Sequence, residues 1–292
     1  MSFLDKLKGL LGKESLDVLA RYELLREAVS GTMSKFYMAR DRQTDQIVGL
    51  KIADQEKLAA FEARFHGLKK PSEGEIAIKL KHPHIVETFE YGVTKNGLRF
   101  LVMEFLEGLG LHSLINDEDT ILEGKRLKLI REMAEAIDYV HCEGYIHRDI
   151  CPRNFICAPD ASALKLIDFG LTLPATEPFM QPGNRTGTPT YMAPEVSRRR
   201  KTDQRLDMFS FGMTAYHLCA FELPWPVSDQ PAMSALAYSA TAPEDILRYA
   251  PQLNHTLAQA IMQCLSPNPN HRPQTGGEFV RMIREVQSDN EA

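Results

Sequence analysis

His147-Arg148-Asp149, with Asn154 five residues beyond the aspartate, is followed by Leu166-Ile167-Asp168-Phe169-Gly170 and then by Gly187-Thr188-Pro189-Thr190-Tyr191-Met192-Ala193-Pro194-Glu195. Moving a phosphoryl group needs a carboxylate that orients a hydroxyl and accepts its proton. It also needs oxygen ligands for Mg2+ ions that offset charge on the phosphates. Asp149 suits the first task, and Asn154 with Asp168 suits the second. Any one of these triplets occurs by chance, and an isolated Asp-Phe-Gly is usually a turn. Three in this order make a chance match negligible.

Outward from that stretch the chain divides into two regimes. Tyr22 to Phe105 reads mostly as strands, with alternating segments at Lys35–Arg40, Ile47–Ile52, Ile85–Tyr91 and Arg99–Phe105, and with Lys95-Asn96-Gly97 as a hairpin turn. Gln55–His66 and Glu73–Lys81 read as helices. Gly67 is placed to end the first, and Gly74 weakens the start of the second by about 1 kcal/mol against alanine. From Gly108 onward helical periodicity dominates. Leu127–Glu143 puts Leu129, Ile130, Met133, Ile137 and Val140 on one face, and Asp207–Phe221, Leu257–Leu265 and Gly277–Val286 continue the pattern. Leu171–Pro194 is a long irregular segment, of the kind that is usually functional or disordered.

This order predicts an α+β fold: an antiparallel β-sheet lobe with one main helix, a mainly α-helical lobe, and a cleft between them. The expected boundaries are a leader over 1–20, a first lobe over 21–106, a second over 107–288 and a tail over 289–292.

Composition narrows the function classes. With 43% apolar and 25% charged residues among 292, the chain is an ordinary globular one. Its net charge of −5 argues against a general nucleic-acid binder, which needs a cationic surface. Five scattered cysteines, with no C-x-x-C pair, fit a reducing cytoplasm better than a disulfide framework or a zinc site. No apolar run approaches the roughly 20 residues that span a bilayer. Phe3, Leu4, Leu7, Leu10 and Leu11 recur at helical spacing near the N-terminus, with Lys6, Lys8 and Lys13 between them. That pattern suits a short helix docked on a membrane surface or a partner; the shortness of the stretch favours instead a helix packed on its own domain or a frayed leader.

The three motifs and their spacing resemble the eukaryotic-type serine/threonine protein kinase family, and the resemblance runs from about Tyr22 to Glu285. It implies an ATP- and Mg2+-dependent enzyme acting on protein substrates. Lys51 in Val48-Gly49-Leu50-Lys51 matches the lysine that holds the α- and β-phosphates. Glu73 matches the helix glutamate that pairs with it, and Glu75 is the alternative. Met103 falls at the gatekeeper position. Glu104-Phe105-Leu106 falls at the hinge that holds adenine, and Val29, Gly31 and Gly49 line the nucleotide site. Asp207-Met208-Phe209-Ser210-Phe211-Gly212 is similar to the family's Asp-x-Trp-Ser-x-Gly helix, with Phe209 in place of tryptophan. Arg272 matches the arginine that pairs with the Glu195 position.

Two departures bear on activity. The family's G-x-G-x-x-G-x-V loop aligns with Val29, Gly31, Ser34 and Phe36, so only the middle glycine remains. Glycine matters there because backbone N–H groups must approach phosphate oxygens closely. Phe36 would crowd the adenine site unless Gly49, where alanine is usual, makes room for its ring. In the catalytic loop, Cys151 stands where serine/threonine kinases carry a lysine, and Arg153, at the position tyrosine kinases use, is expected to replace it. A reactive role for the Cys151 thiol is not expected. Gly187-Thr188-Pro189-Thr190-Tyr191 matches the serine/threonine pattern.

Arg148 before Asp149 is the feature that receives a phosphorylated activation segment, with Thr186 as the first phosphosite candidate and Thr176 and Thr172 behind it. The competing reading is a pseudokinase that keeps the fold as a scaffold. The complete Lys51, Glu73, Asp149, Asn154 and Asp168 set argues for catalysis, because a scaffold has no chemical reason to keep all five.

Overall fold

In the computed structural model, which describes residues 16–30, 33–94, 97–226, 238 and 241–291, strand alternation decides what the first part of the chain buries. Helix α1 (Leu16–Arg21) leads into β1 (Tyr22–Ser30), β2 (Ser34–Asp41) and β3 (Ile47–Ala53). Helices α2 (Gln55–Glu62) and α3 (Glu73–Ala77) follow, then β4 (Thr88–Val93) and β5 (Arg99–Glu104). The strands form one antiparallel sheet in the order β1-β2-β3-β5-β4.

Side chains along a strand alternate between faces, and directly paired residues share a face. Tyr37, Ala39, Val48, Leu50 and Val102 therefore fall together and close a core with Val18 and Tyr22. The intervening residues Phe36, Gly49, Lys51 and Met103 take the other face, where Phe36 pairs with Lys51 and Gly49 with Met103. That second face carries the candidate site residues of this unit.

The chain clusters into two units. The first holds the described residues through Lys81 together with Val86–Leu106. The second holds His82–Ile85 and the chain from Glu107 onward. In the second unit β6 (Leu109–Gly110) and α4 (Leu111–Asn116) precede the long α5 (Arg126–Cys142). The short strands β7 (Tyr145–Ile146), β8 (Phe155–Cys157), β9 (Leu164–Leu166) and β10 (Leu173–Pro174) follow, in the pairs β6-β8-β9 and β7-β10. Helices α6 (Pro194–Ser197), α7 (Arg205–Ala220), α8 (His255–Cys264) and α9 (Gly276–Met282) follow among the described residues. Helix α7 is apolar nearly all round, which suits a helix buried on every side. Of its sixteen residues only Arg205 and His217 are not buried. Helix α5 buries Leu129, Ile130, Met133, Ile137 and Val140, the stripe expected of it.

Several boundaries differ from the sequence reading. The helix expected over Glu73–Lys81 stops at Ala77, because the next bonds tighten to the 3-10 pattern, Lys79 to Ile76 and Leu80 to Ala77. Helix α9 likewise ends at Met282 rather than Val286. The strand expected from Ile85 begins at Thr88; Ile85 instead bridges to Leu166 within the second unit. Gly67 follows the α2 region with φ +83°, as its terminating role requires. The expected N-terminal amphipathic helix, and Lys95 and Asn96 of the hairpin, lie outside the described residues.

Candidate functional site

The first unit positions an ion pair. Lys51 on β3 reaches Glu73 on α3 at 2.5 Å, with both side chains largely buried. The local sequence fixes which glutamate is available. Ser72 caps α3 by accepting from the Glu75 N–H at 3.2 Å, while the Glu75 carboxylate accepts from the Ser72 N–H at 2.7 Å. Glu75 thus closes a capping box and Glu73 is left to face Lys51.

On the same face, the Phe36 ring lies against the Cα of Gly49. A Cβ added at Gly49 would stand 2.6 Å from Phe36 Cζ and 3.1 Å from Met103 Cγ, well inside normal contact. Beyond Glu104, at the end of β5, the Leu106 N–H makes no hydrogen bond among the described residues. Of Val29 only the backbone pairing with Phe36 is described, and Gly31 lies outside the described residues.

The second unit builds a carboxylate site around Asp149. Asn154 Nδ2 donates to the Asp149 carbonyl at 2.7 Å and to Oδ2 at 3.2 Å. Thr188 donates twice to Oδ1, from its N–H at 2.7 Å and its hydroxyl at 2.8 Å. Gly187 makes this approach feasible: it has φ +119°, and a Cβ there would sit 2.6 Å from the Arg148 carbonyl oxygen.

Beneath the loop, fully buried Asp207 on α7 accepts the N–H groups of His147 and Arg148, each at 2.8 Å, and pairs with His141 Nε2 at 2.9 Å. Burial alone would raise its pKa, but the His141 hydrogen bond and the neighbouring imidazoles hold it below the usual carboxylate range. Arg148 and Asp168 both have φ near +70°, at 72° and 66°, a conformation non-glycine residues hold only where the surroundings fix it. The sequence reading missed His141, since a histidine in the last turn of a helix carries no distinguishing pattern.

Asp168 is tied to this loop. The Ile167 N–H bonds to the Asn154 carbonyl at 2.8 Å, and Asp168 Oδ1 accepts from the Gly170 N–H at 2.9 Å. Asn154 Oδ1 takes no hydrogen bond among the described residues. A carboxamide oxygen and a carboxylate, on segments joined by the Ile167–Asn154 backbone bond, are both hard donors of the kind a magnesium ion takes.

Cys151 is buried, with Sγ 3.6 Å from the Thr188 hydroxyl. Burial first, and the Asp149 charge second, push its thiol up to about 12, so it stays neutral. Arg153 is exposed, and its side chain makes no hydrogen bond or ion pair among the described residues.

Arg148 points into the activation segment. Its Nε meets the Thr186 hydroxyl at 3.4 Å and its Nη2 the Asn184 carbonyl at 3.0 Å, whereas Nη1 is buried with no partner among the described residues. Burial pulls the guanidinium down to about 10. Thr172, one of the fallback phosphosites, is fully buried with its hydroxyl toward the His147 carbonyl at 3.5 Å, so in this arrangement it is closed to modification. Thr176 is exposed. Arg272 forms a two-pronged pair with Glu195 at 2.7 and 2.9 Å. Its guanidinium carbon lies 5.0 Å from the centre of the Phe209 ring, in the place the family gives to tryptophan.

Comparison with known proteins adds family and relatives. Residues 22–283 match the family model described as protein kinase domain. The chain is 27% identical over 275 residues to the serine/threonine-protein kinase pkn3 of Myxococcus xanthus, covering 89% of this chain and 48% of the relative. It is 29% identical over 267 residues to the serine/threonine-protein kinase PknB of Mycolicibacterium smegmatis, covering 89% and 42%. The CBL-interacting protein kinase 12 of Oryza sativa is 34% identical over 212 residues, covering 71% and 38%. The chain therefore spans about half or less of the length of these curated relatives.

Proposed function

The chain belongs to the protein kinase family, and from that premise we propose that it transfers the γ-phosphoryl group of ATP to serine and threonine hydroxyls of protein substrates. The observation that carries the reading is the state of Asp149. Its Oδ1 takes two donors from Thr188, while Oδ2 has, among the described residues, the longer bond from Asn154 alone. A substrate hydroxyl would therefore hand its proton to Oδ2 as its oxygen attacks phosphorus, and the bond to the leaving ADP oxygen breaks.

In this reading Lys51, oriented by Glu73, holds the α- and β-phosphates. The Glu104 carbonyl and the Leu106 N–H hold adenine beside Val29, Gly31, Gly49 and Met103. Asn154 and Asp168 would hold magnesium, whose chemistry is to offset phosphate charge. Arg153 supplies the cation that neutral Cys151 cannot. Thr186, beside the unsatisfied Arg148, is the phosphosite through which activity is regulated. Among the described residues no helix is long and apolar enough to cross a membrane. The placement in a reducing cytoplasm rests on the five scattered cysteines. Docking through the N-terminal leader remains part of this proposal.

The test is phosphate transfer from Mg2+-ATP, with nucleotide binding measured in parallel, for wild type and Asp168→Ala. Transfer by wild type and its loss in the variant support the proposal. Absence of both binding and transfer in wild type would establish the pseudokinase reading instead.

A further inference from the structure

The base of the nucleotide is the part of the site where this chain has rebuilt its surface. This inference rests on the nucleotide-binding reading above. Phe36 pairs across the strands with Lys51, and Gly49 lies two residues before Lys51 on the same face. Two residues along a strand are about 6.6 Å, close to the span of a ribose. In that reading the phosphates reach Lys51 and the base lies along Gly49 and Met103, where the Phe36 ring stands against Gly49.

The ring's position depends on the missing side chain. Phe36 Cζ and Cε2 occupy the space in which a methyl group at residue 49 would sit, at 2.6 and 3.1 Å. The ring is only partly buried, so it still has surface to offer. An aromatic ring set against a base face contributes stacking that a valine cannot supply.

The phosphate end, by contrast, is depleted. Val29 and Ser34 replace glycines whose backbones would otherwise approach the phosphates. We infer that Phe36 is the aromatic platform for the base, that Gly49 is the residue that makes room for it, and that nucleotide affinity here depends on the base more than on the phosphates.

The experiment titrates the full-length protein with adenosine and, separately, with ATP, for wild type, Phe36→Val, Gly49→Ala and the double variant. Removing the ring should weaken adenosine and ATP by the same factor, about tenfold, within the range that stacking on an aromatic commands. Gly49→Ala, by driving the ring off its seat, should cause a similar loss. In the double variant the ring is gone and the methyl meets nothing, so affinity should equal or exceed that of Phe36→Val alone.

Gly49→Ala binding like wild type, losses that multiply in the double variant, or a Phe36→Val defect confined to ATP would each overturn the inference. Should Gly49→Ala fail to fold, the double variant decides. It folds if the clash with the ring is the cause, and stays unfolded if the inference is wrong. A wild type that binds adenosine with this pattern but transfers no phosphate would defeat the proposed function and leave the inference standing. A wild type that transfers phosphate but is indifferent to both substitutions would do the reverse, and one that binds no adenosine overturns the inference.

Discussion

Phosphorylating Thr186 should stabilise the fold, and Arg148 should be the reason. The guanidinium is buried, makes no ion pair among the described residues, and leaves Nη1 without a partner. Its descent to about 10, caused by burial, measures how poorly its charge is compensated. Against the ordinary value for arginine this is roughly 3 kcal/mol disfavouring the charged form. A phosphate on the Thr186 hydroxyl, now 3.4 Å from Nε, would bring up to two negative charges and acceptors for the vacant Nη1. Full compensation sets a ceiling of about 3 kcal/mol. Because Thr186 is partly exposed, the phosphate stays partly in water, and about half of that is expected. For a domain of this size a stabilisation of roughly 1–2 kcal/mol raises Tm by about 2–3 °C. The assay is urea and thermal unfolding of protein carrying phosphothreonine at 186, against the unmodified chain, in wild-type and Arg148→Met backgrounds. The reasoning is refuted if the phosphate stabilises both backgrounds equally, or stabilises neither.

Three further outcomes follow from the same geometry. Arg272→Met alone should destabilise by about 3–5 kcal/mol in urea unfolding, since it strands the Glu195 carboxylate in a buried site; Arg272→Met with Glu195→Leu should recover most of that loss, and equal instability of single and double variants would contradict it. His217 Nδ1 shares a hydrogen bond with the Tyr191 hydroxyl at 2.8 Å, and burial lowers its pKa to about 4. The unfolded chain takes up that proton near pH 6.5, so this term is fully favourable above pH 6.5 and is lost as pH falls toward 4, by at most about 3 kcal/mol. Urea unfolding at pH 7 and 4.5 should therefore show a weaker pH dependence for His217→Gln, and parallel profiles would contradict the assignment. Arg153→Ala should lower kcat by about a hundredfold with the fold intact, and unchanged phosphate transfer would remove Arg153 from the mechanism.

Much of this arrangement was legible in the residues because it rests on periodicity and on chemistry with few substitutes. The alternation in Lys35–Arg40 and Ile47–Ile52 places Phe36, Gly49 and Lys51 on one face before any coordinate is known. The expectation that Gly49 makes room for Phe36 is met by the contact itself. Glu73 is preferred over Glu75 in the sequence because two residues along a helix turn the second toward another face; the structure pairs Glu73 with Lys51 and ties Glu75 into the Ser72 capping box. What the sequence could not reveal depends on long-range contact. His141 reaches Asp207 across 66 residues, and Thr172 is buried by packing that no local pattern announces. Helix ends were misjudged by several residues where 3-10 bonds replace the last turn, because apolar spacing hardly changes between the two geometries.

The most direct measurement is the rate of phosphate incorporation into a serine/threonine-containing protein substrate by wild type and Asp149→Asn, with the product residues identified. Asparagine preserves the shape of the Asp149 site but cannot take the hydroxyl proton at neutral pH. The account predicts phosphoserine and phosphothreonine from wild type and a loss of at least about a hundredfold in kcat with nucleotide affinity retained. Equal rates from the two proteins, or no incorporation by wild type, would contradict it.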